Sequence, residues 1–175
     1  MKVYMILLSV GKDRPGIVDS VSTFLFERGA NIEDSRMAVM GGCFSIMTLF
    51  SSAPKDAECI RRDLNTLEKM GLATLLRDAD DPAVANARAA LPLSIDIRAM
   101  DHPGIVRQVV HLLHHHQVNI LSLNTQVTRA PLSGADLFDL NIEAAVPPEK
   151  RVARIKEELT QLAFDMDLDL NFKKQ

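Results

Sequence analysis

The segment DRPGIV at residues 13–18 returns as DHPGIV at residues 101–106, and this repetition decides how the chain is divided. The match continues in the same register, because Asn31 and Ile32 return as Asn119 and Ile120, again 88 positions later. Self-similarity at a fixed spacing is typical of duplicated structural units. The 175 residues are therefore predicted to form two homologous domains.

Each half carries the same order of elements. An apolar run at residues 3–10, and again at 93–100, predicts a strand. In each half a Pro-Gly pair, Pro15–Gly16 and Pro103–Gly104, is predicted to open an amphipathic helix. Its apolar stripe recurs with helical spacing at Ile17, Val21, Phe24 and Leu25 and at Ile105, Val109, Leu112 and Leu113. Two strands, a second amphipathic helix and a last strand follow. The predicted strands are residues 32–39, 44–50 and 73–76 in the first half and 120–128, 135–144 and 166–172 in the second, and the second helices carry Ile60, Leu64 and Leu67, and Ile155, Leu159 and Leu162.

The order βαββαβ, found twice, is that of the ferredoxin-like fold, in which two helices cover one face of a four-stranded antiparallel sheet. We therefore predict an α+β protein with domains at residues 1–79 and 92–175. Asp80, Asp81 and Pro82 open the predicted linker at residues 80–91. Because helices cover only one face of each sheet, we expect the two halves, or two chains, to pack together.

Composition excludes several classes of partner. The formal net charge is −3 and no run of Lys and Arg marks a groove-reading helix, so we expect no direct contact with nucleic acid. No stretch approaches the roughly 18 apolar residues of a membrane span. Cys43 and Cys59 are isolated, which favours reduced thiols. These features predict a cytoplasmic protein without a membrane partner.

Catalytic and metal motifs are missing from the sequence. There is no Gly-x-Ser-x-Gly elbow, no Gly-rich phosphate loop with Lys and no His-Glu-x-x-His pair, so we predict neither an enzyme nor a cofactor. His111, His114 and His115 have the spacing of one helical face, but no further ligand lies nearby. We therefore interpret them as solvent-facing residues and predict no metal site.

The segment at residues 13–18 has the physical character of a ligand site. It lies where a strand passes into a helix, its glycine permits close approach to the backbone, and the helix N-terminus offers free N–H groups. Such a place suits a small carboxylate. Asp13 and Asn31 serve equally well as a helix cap and a turn residue, so the residues alone leave both roles open.

A family resemblance bears on the choice between a ligand-binding role and a capping or turn role for these residues. DRPGIV, followed by GANI at residues 29–32, resembles the signature of ACT domains, and both halves carry it. The longer run NIEDSRMA at residues 31–38, with Gly41 and Phe44, is similar to transcriptional repressors built from two ACT domains. In architecture the resemblance covers essentially the whole chain.

The resemblance implies that an amino acid binds between two ACT units, with the first loop and helix start of one facing the early second strand of the other. The second half departs from the pattern, because His102 stands where Arg is common and Leu121 and Ser122 replace Glu33 and Asp34. We therefore expect the first half to be the binder. The implied ligand-binding residues are Asp13, Gly16, Ile17, Asn31 and Ile32, and Asp101, His102, Gly104, Ile105, Asn119 and Ile120.

These features predict a homo-oligomeric regulatory protein that senses a small amino acid, for which the resemblance suggests glycine, and acts on a protein partner, a DNA-binding regulator. The alternative is a ligand-independent assembly module for a metabolic enzyme. The first half also resembles the regulatory unit of formyltetrahydrofolate deformylase. That enzyme needs a further hydrolase domain, whereas this chain repeats itself after Asp101.

Overall fold

The computed structural model describes residues 2–85, 90–130 and 134–173. The chain divides into two compact units, residues 1–87 and 88–175, and the division falls within the predicted linker 80–91. Each unit contains one four-stranded antiparallel sheet with helices on one face, as predicted. The α+β fold class is thereby confirmed.

The first unit has β1 at the centre of its sheet. The strand order is β2-β3-β1-β4, and β1 pairs antiparallel with both β3 and β4. The elements are β1 (Val3–Lys12), α1 (Ile17–Phe26), β2 (Asn31–Met40), β3 (Cys43–Ser52), α2 (Pro54–Asp63), α3 (Asn65–Lys69), β4 (Leu72–Ala79) and α4 (Pro82–Ala85).

The second unit repeats this arrangement with the order β6-β7-β5-β8. Between the predicted strands 120–128 and 135–144, residues 131–133 lie outside the described part. No helix within the described residues, α6 included, is both long and apolar enough to cross a membrane. The elements are β5 (Leu91–Met100), α5 (Ile105–His115), β6 (Asn119–Arg129), β7 (Asp136–Val146), α6 (Val152–Asp165) and β8 (Asp169–Phe172).

The predicted helical stripes form the cores. In the first unit they pack against alternate residues of β1, of which Met5 and Leu7 are fully buried. Removing such side chains from water contributes about 1.5–3 kcal/mol each. The second unit builds its core in the same way on Ile95 and Ile97 of β5. The buried stripes are Ile17, Val21, Phe24 and Leu25 in α1 and Ile105, Val109 and Leu113 in α5.

Several predicted boundaries differ from the structure: β4 spans Leu72–Ala79 rather than residues 73–76, and β5 begins at Leu91, inside the predicted linker. Two further differences have a clear physical reason. The second helix of the first half is broken at Leu64, where the turn tightens and the Leu67 N–H donates to the carbonyl of Leu64, only three residues back, at 3.0 Å. The last strand of the second half begins at Asp169 rather than at residue 166. Here α6 continues to Asp165, and Asp167, with φ 54°, turns the chain into the strand.

The first helix of each unit ends in the same way. The Ala30 N–H donates to the carbonyl of Leu25 at 3.1 Å, and the Val118 N–H donates to that of Leu113 at 3.0 Å. Gly29 occupies the left-handed position with φ 69°. Gln117 occupies the equivalent position with φ 58°, where a side chain costs about 1–2 kcal/mol.

Gln117→Gly is expected to raise the free energy of unfolding of the second unit by up to about 1 kcal/mol, because relief of the left-handed strain outweighs the extra entropy of glycine in the unfolded chain. Gln117→Ala keeps the Cβ atom and serves as the matched control, with no such gain. Urea unfolding followed by circular dichroism measures both. Equal urea midpoints for Gln117→Gly and Gln117→Ala would contradict backbone strain at Gln117.

Candidate functional site

The segment at residues 13–18 forms a tight loop between the first strand and the first helix. The helix begins at Ile17, so Pro15 precedes it, and the prediction that this proline opens the helix is wrong. Gly16 caps the helix in the left-handed region with φ 90°, and Gly104 does the same with φ 106°. A Cβ atom at either glycine would meet no atom within 4 Å. The backbone therefore requires glycine here, and the space beside it is open.

Backbone hydrogen bonds hold the loop in place. The Asp13 N–H donates to the carbonyl of Gly42 in the β2–β3 turn at 2.9 Å, and the Asp101 N–H donates to that of Asp136 at 3.0 Å. The Arg14 guanidinium donates to the carbonyl of Met70 at 2.9 Å. The loop is thus anchored without use of its aspartate side chain.

The two loop carboxylates have no partner within the described residues. Asp13 and Asp101 are exposed, and neither α1 nor α5 has a side-chain cap. The capping role is therefore not seen for either aspartate. The side chains of Ile17 and Ile105 are buried in the cores, so only their backbone groups are left for a ligand.

The second part of the predicted site lies at the start of β2. The exposed Asn31 donates through Nδ2 to Oε1 of Glu33 at 3.2 Å, and the Ser51 hydroxyl donates to the same oxygen at 2.6 Å. The Ser51 hydrogen bond, and then that of Asn31, holds the pKa of Glu33 below its ordinary value. Glu33 and Ser51 were not predicted as site residues.

A β-bulge explains how Glu33 reaches Ser51. In the ladder Ile32 pairs with Phe50 and Asp34 with Leu49, so Glu33 is an additional residue without a directly opposed partner. A bulge re-aims the side chain that it carries. The second unit has a bulge at the same place, but there Leu121 replaces Glu33 and Ala145 pairs with Asn119. The carboxylate cluster is therefore a feature of the first unit.

The two parts of the predicted site lie at opposite ends of the unit. On β3, Cys43 pairs with Lys12, next to the loop, whereas Ser51 pairs with Asn31. Eight strand positions at about 3.3 Å each separate these ends by about 26 Å. The second unit has the same register, with Asp101 and Asn119 at opposite ends. No single unit brings an Asp13-type and an Asn31-type residue together.

The surroundings of the histidines differ from those of metal ligands. His111, His114 and His115 are exposed on α5. His116 places Nε2 2.7 Å from Oε2 of Glu158 on α6, and the His116 and Arg154 hydrogen bonds lower the pKa of Glu158. Across the described parts of the chain no three His, Cys, Asp or Glu side chains are grouped as a metal site. His102 is half-buried, with Nδ1 3.3 Å from the Pro103 carbonyl.

Comparison with known proteins identifies relatives of this chain. The model of the ACT domain family matches residues 4–75, from β1 into β4. The first unit therefore belongs to the ACT domain family, and the second unit repeats its strand order. It is 26% identical over 166 residues to the glycine cleavage system transcriptional repressor of Escherichia coli strain K12, in a match that covers 94% of this chain and 86% of that protein.

Two solved structures share the whole fold. A crystal structure of an unknown protein from Galdieria sulphuraria superposes with a TM-score of 0.86 at 27% identity, covering 100% of this chain and 99% of the other. The crystal structure of a candidate glycine cleavage system transcriptional repressor gives a TM-score of 0.70 at 23% identity, covering 100% and 99%. The tandem arrangement of two such units is therefore found in other solved proteins.

Ser51→Ala is expected to move the pKa of Glu33 up towards its ordinary value, because it removes the larger of the two hydrogen bonds to the carboxylate. A lowered pKa in the folded state stabilises the fold above the unfolded pKa, and this contribution is lost as pH falls through the folded pKa. The variant should therefore lose stability at neutral pH, and the loss should shrink towards acid pH. Carbon NMR titration and urea unfolding measure these two effects.

Ser52→Ala is the matched control for that experiment. The Ser52 hydroxyl is buried next to Ser51 in the chain but has no hydrogen-bond partner within the described residues. Its removal should leave the titration of Glu33 unchanged. An equal shift of the pKa in both variants would contradict the assigned cause.

Proposed function

We propose that this protein senses a small amino acid, with glycine as the first candidate, and that the bound amino acid changes its affinity for a protein partner, a DNA-binding transcriptional regulator. The observation that carries the proposal is the exposed, unpartnered carboxylate of Asp13 beside the start of α1. An amino acid needs an acceptor for its ammonium group and donors for its carboxylate. This loop offers both within one short segment.

The chemistry of recognition follows from the loop. The first N–H groups of α1 have no partner inside the helix and lie at the positive end of its dipole, which favours a carboxylate. Asp13 then accepts hydrogen bonds from the ammonium group, and charge-assisted bonds of this kind are worth about 1.5–3 kcal/mol each. Gly16 leaves the space beside the helix start free of side chains.

The separation of the two ends supports a site that needs two units. Asp13 and Asn31 lie at ends of one unit that are separated by about 26 Å along the strands, so a ligand that contacts both residue types requires a second ACT unit, from this chain or from another copy. Ligand binding then favours one packing of the units over others. Coupling of this kind between a ligand and a partner is typically worth about 1–3 kcal/mol.

The proposed partner follows from the relatives and from charge. The relative that matches 94% of this chain is a transcriptional repressor, which supports a role in regulation. With a formal net charge of −3, the chain is better suited to act through a protein than to bind DNA itself. The proposal places the protein in the cytoplasm as a homo-oligomer and assigns it no catalytic step and no cofactor.

A second candidate function is that of a ligand-independent assembly module for a metabolic enzyme. The observation in its favour is the exposure of Met47 and Leu75 on the sheet of the first unit, since exposed apolar patches mark interaction surfaces. Such a module would bind its partner equally with and without amino acids. The response to amino acids therefore separates the two functions.

Asp13→Asn is expected to abolish the stabilisation by the cognate amino acid, because it removes the negative charge that holds the ammonium group. Thermal unfolding against a panel of the twenty amino acids measures the response, which is about 2.7 kcal/mol at 100 times the dissociation constant. Since the Asp13 side chain has no partner within the described residues, the melting temperature without ligand should not change.

Glu58→Gln is the control, because it removes one exposed carboxylate from α2, away from the loop. It should keep the full response. Asp101→Asn reports separately on the second unit, and we expect a smaller effect there. If no amino acid at millimolar concentration stabilises the wild-type protein, the sensing function is wrong and the assembly module takes its place.

A further inference from the structure

The two units differ most on the sheet face that the helices leave uncovered. In the first unit the strand register brings apolar side chains together on this face, which we call the first outer face. Met47, Leu75 and Val10 are 47%, 45% and 36% exposed. The apolar side chains of this face are Ile6, Leu8 and Val10 from β1, Met47 and Leu49 from β3, and Leu75 from β4, and Arg36 of β2 lies beside them opposite Met47.

The same face of the second unit is polar. Arg98 Nε lies 2.6 Å from Oδ1 of Asp139, and Asn141 donates through Nδ2 to Oδ1 of Asp96 at 2.6 Å. These residues and Lys173 line a depression of about 270 Å³. The same fold has an apolar outer face in the first unit and a polar one in the second. The fold itself therefore does not require apolar residues on this face. The first outer face therefore has the character of a surface that another molecule covers.

Charges at the edges of the first outer face indicate what covers it. Asp34 on β2 pairs with Leu49, Leu49 with Ile6, and Ile6 with Arg77 on β4, so the four residues form one row across the sheet. The row is negative at one edge, apolar in the middle and positive at the other edge. Arg77 has no ion pair within the described residues, whereas Asp34 pairs with Arg36 at 2.6 Å.

This row is complementary to itself. A two-fold axis parallel to the strands, midway between two stacked copies of the sheet, sets β2 of one copy over β4 of the other at the same height. Asp34 then faces the partner's Arg77, and Leu49 faces the partner's Ile6. This charge contact occurs twice, as in every isologous interface. Stacked sheets of this kind lie about 10 Å apart, with their strands within about 30° of each other.

We propose that two copies of this chain form a homodimer in which the first outer faces pack sheet on sheet around this axis. The arrangement keeps the two Asp13 loops at the same end of the dimer, so it does not bring Asp13 to the partner's Asn31. The amino-acid site under the proposed function, which needs both residue types together, is therefore not formed by this contact, although Asn31 and Ser51 lie on the same sheet face in the row next to Asp34 and Leu49.

Sedimentation equilibrium of the full chain tests the charge pairing. Arg77→Asp alone and Asp34→Arg alone each set two pairs of like charges against each other, and we expect the dimer dissociation constant to rise at least about tenfold in either variant. In an equimolar mixture, each chain of a mixed dimer meets opposite charges at both contacts. The mixture should therefore recover dimers, whereas each variant by itself should not.

The apolar centre has its own test. Met47→Glu should give a monomer, and the equivalent change in the second unit, Asn141→Glu, should leave the dimer intact. Circular dichroism checks that each variant is folded, and Leu75→Glu provides a second variant at the edge of the patch. The proposal is overturned by a wild-type protein that stays monomeric at about 100 µM, by a dimer that survives Met47→Glu, or by a mixture of charge variants that stays monomeric.

Discussion

Helices cover only one face of each sheet, so alternate residues of the central strand lie in two different environments. In β1, Met5 and Leu7 enter the core while Ile6 and Leu8 belong to the outer face. A shift of the register by one residue would exchange these two sets. The pairing of β1 with β3 and β4 therefore fixes the core, the outer face and the position of the loop that follows the strand.

The two units keep the same backbone features and differ in the side chains that they present. The left-handed glycine before the first helix, the helix end and the bulge in the second strand occur in both. The outer face and the environment of the bulge residue do not correspond, since Glu33 and Leu121 occupy the same place. Duplication thus preserved the scaffold and left each unit a different surface for contacts.

Periodicity in the sequence predicted the order of the elements, the buried stripes and the sheet architecture, because these depend on burial patterns within one element. The helix starts were predicted too early, since the left-handed conformation of Gly16 ends the loop after Pro15. The break at Leu64 has no marker in its apolar spacing. Ser94, Asp96 and Arg98 alternate with apolar residues in the segment predicted as an apolar strand, and this alternation is the sequence signal of the polar outer face.

The part of the candidate site that lies within one segment was predictable from the sequence, and the part that joins two strands was not. Asp13 and Gly16 lie in one short segment whose chemistry can be judged locally. The contact between Glu33 and Ser51 joins two strands through a bulge, and its existence depends on the register of β2 against β3. Sequence spacing does not specify that register.

Under the proposed function, the distance between the two ends of a unit would also set how many ligands an assembly can hold. The first unit has one Asp13-type end and one Asn31-type end, so two first units that exchange ends around a two-fold axis would enclose two equivalent places. Saturation then corresponds to one amino acid per unit rather than one per pair. Because the first molecule already joins the units, the second meets an ordered pair, and the saturation curve is steeper than a simple hyperbola.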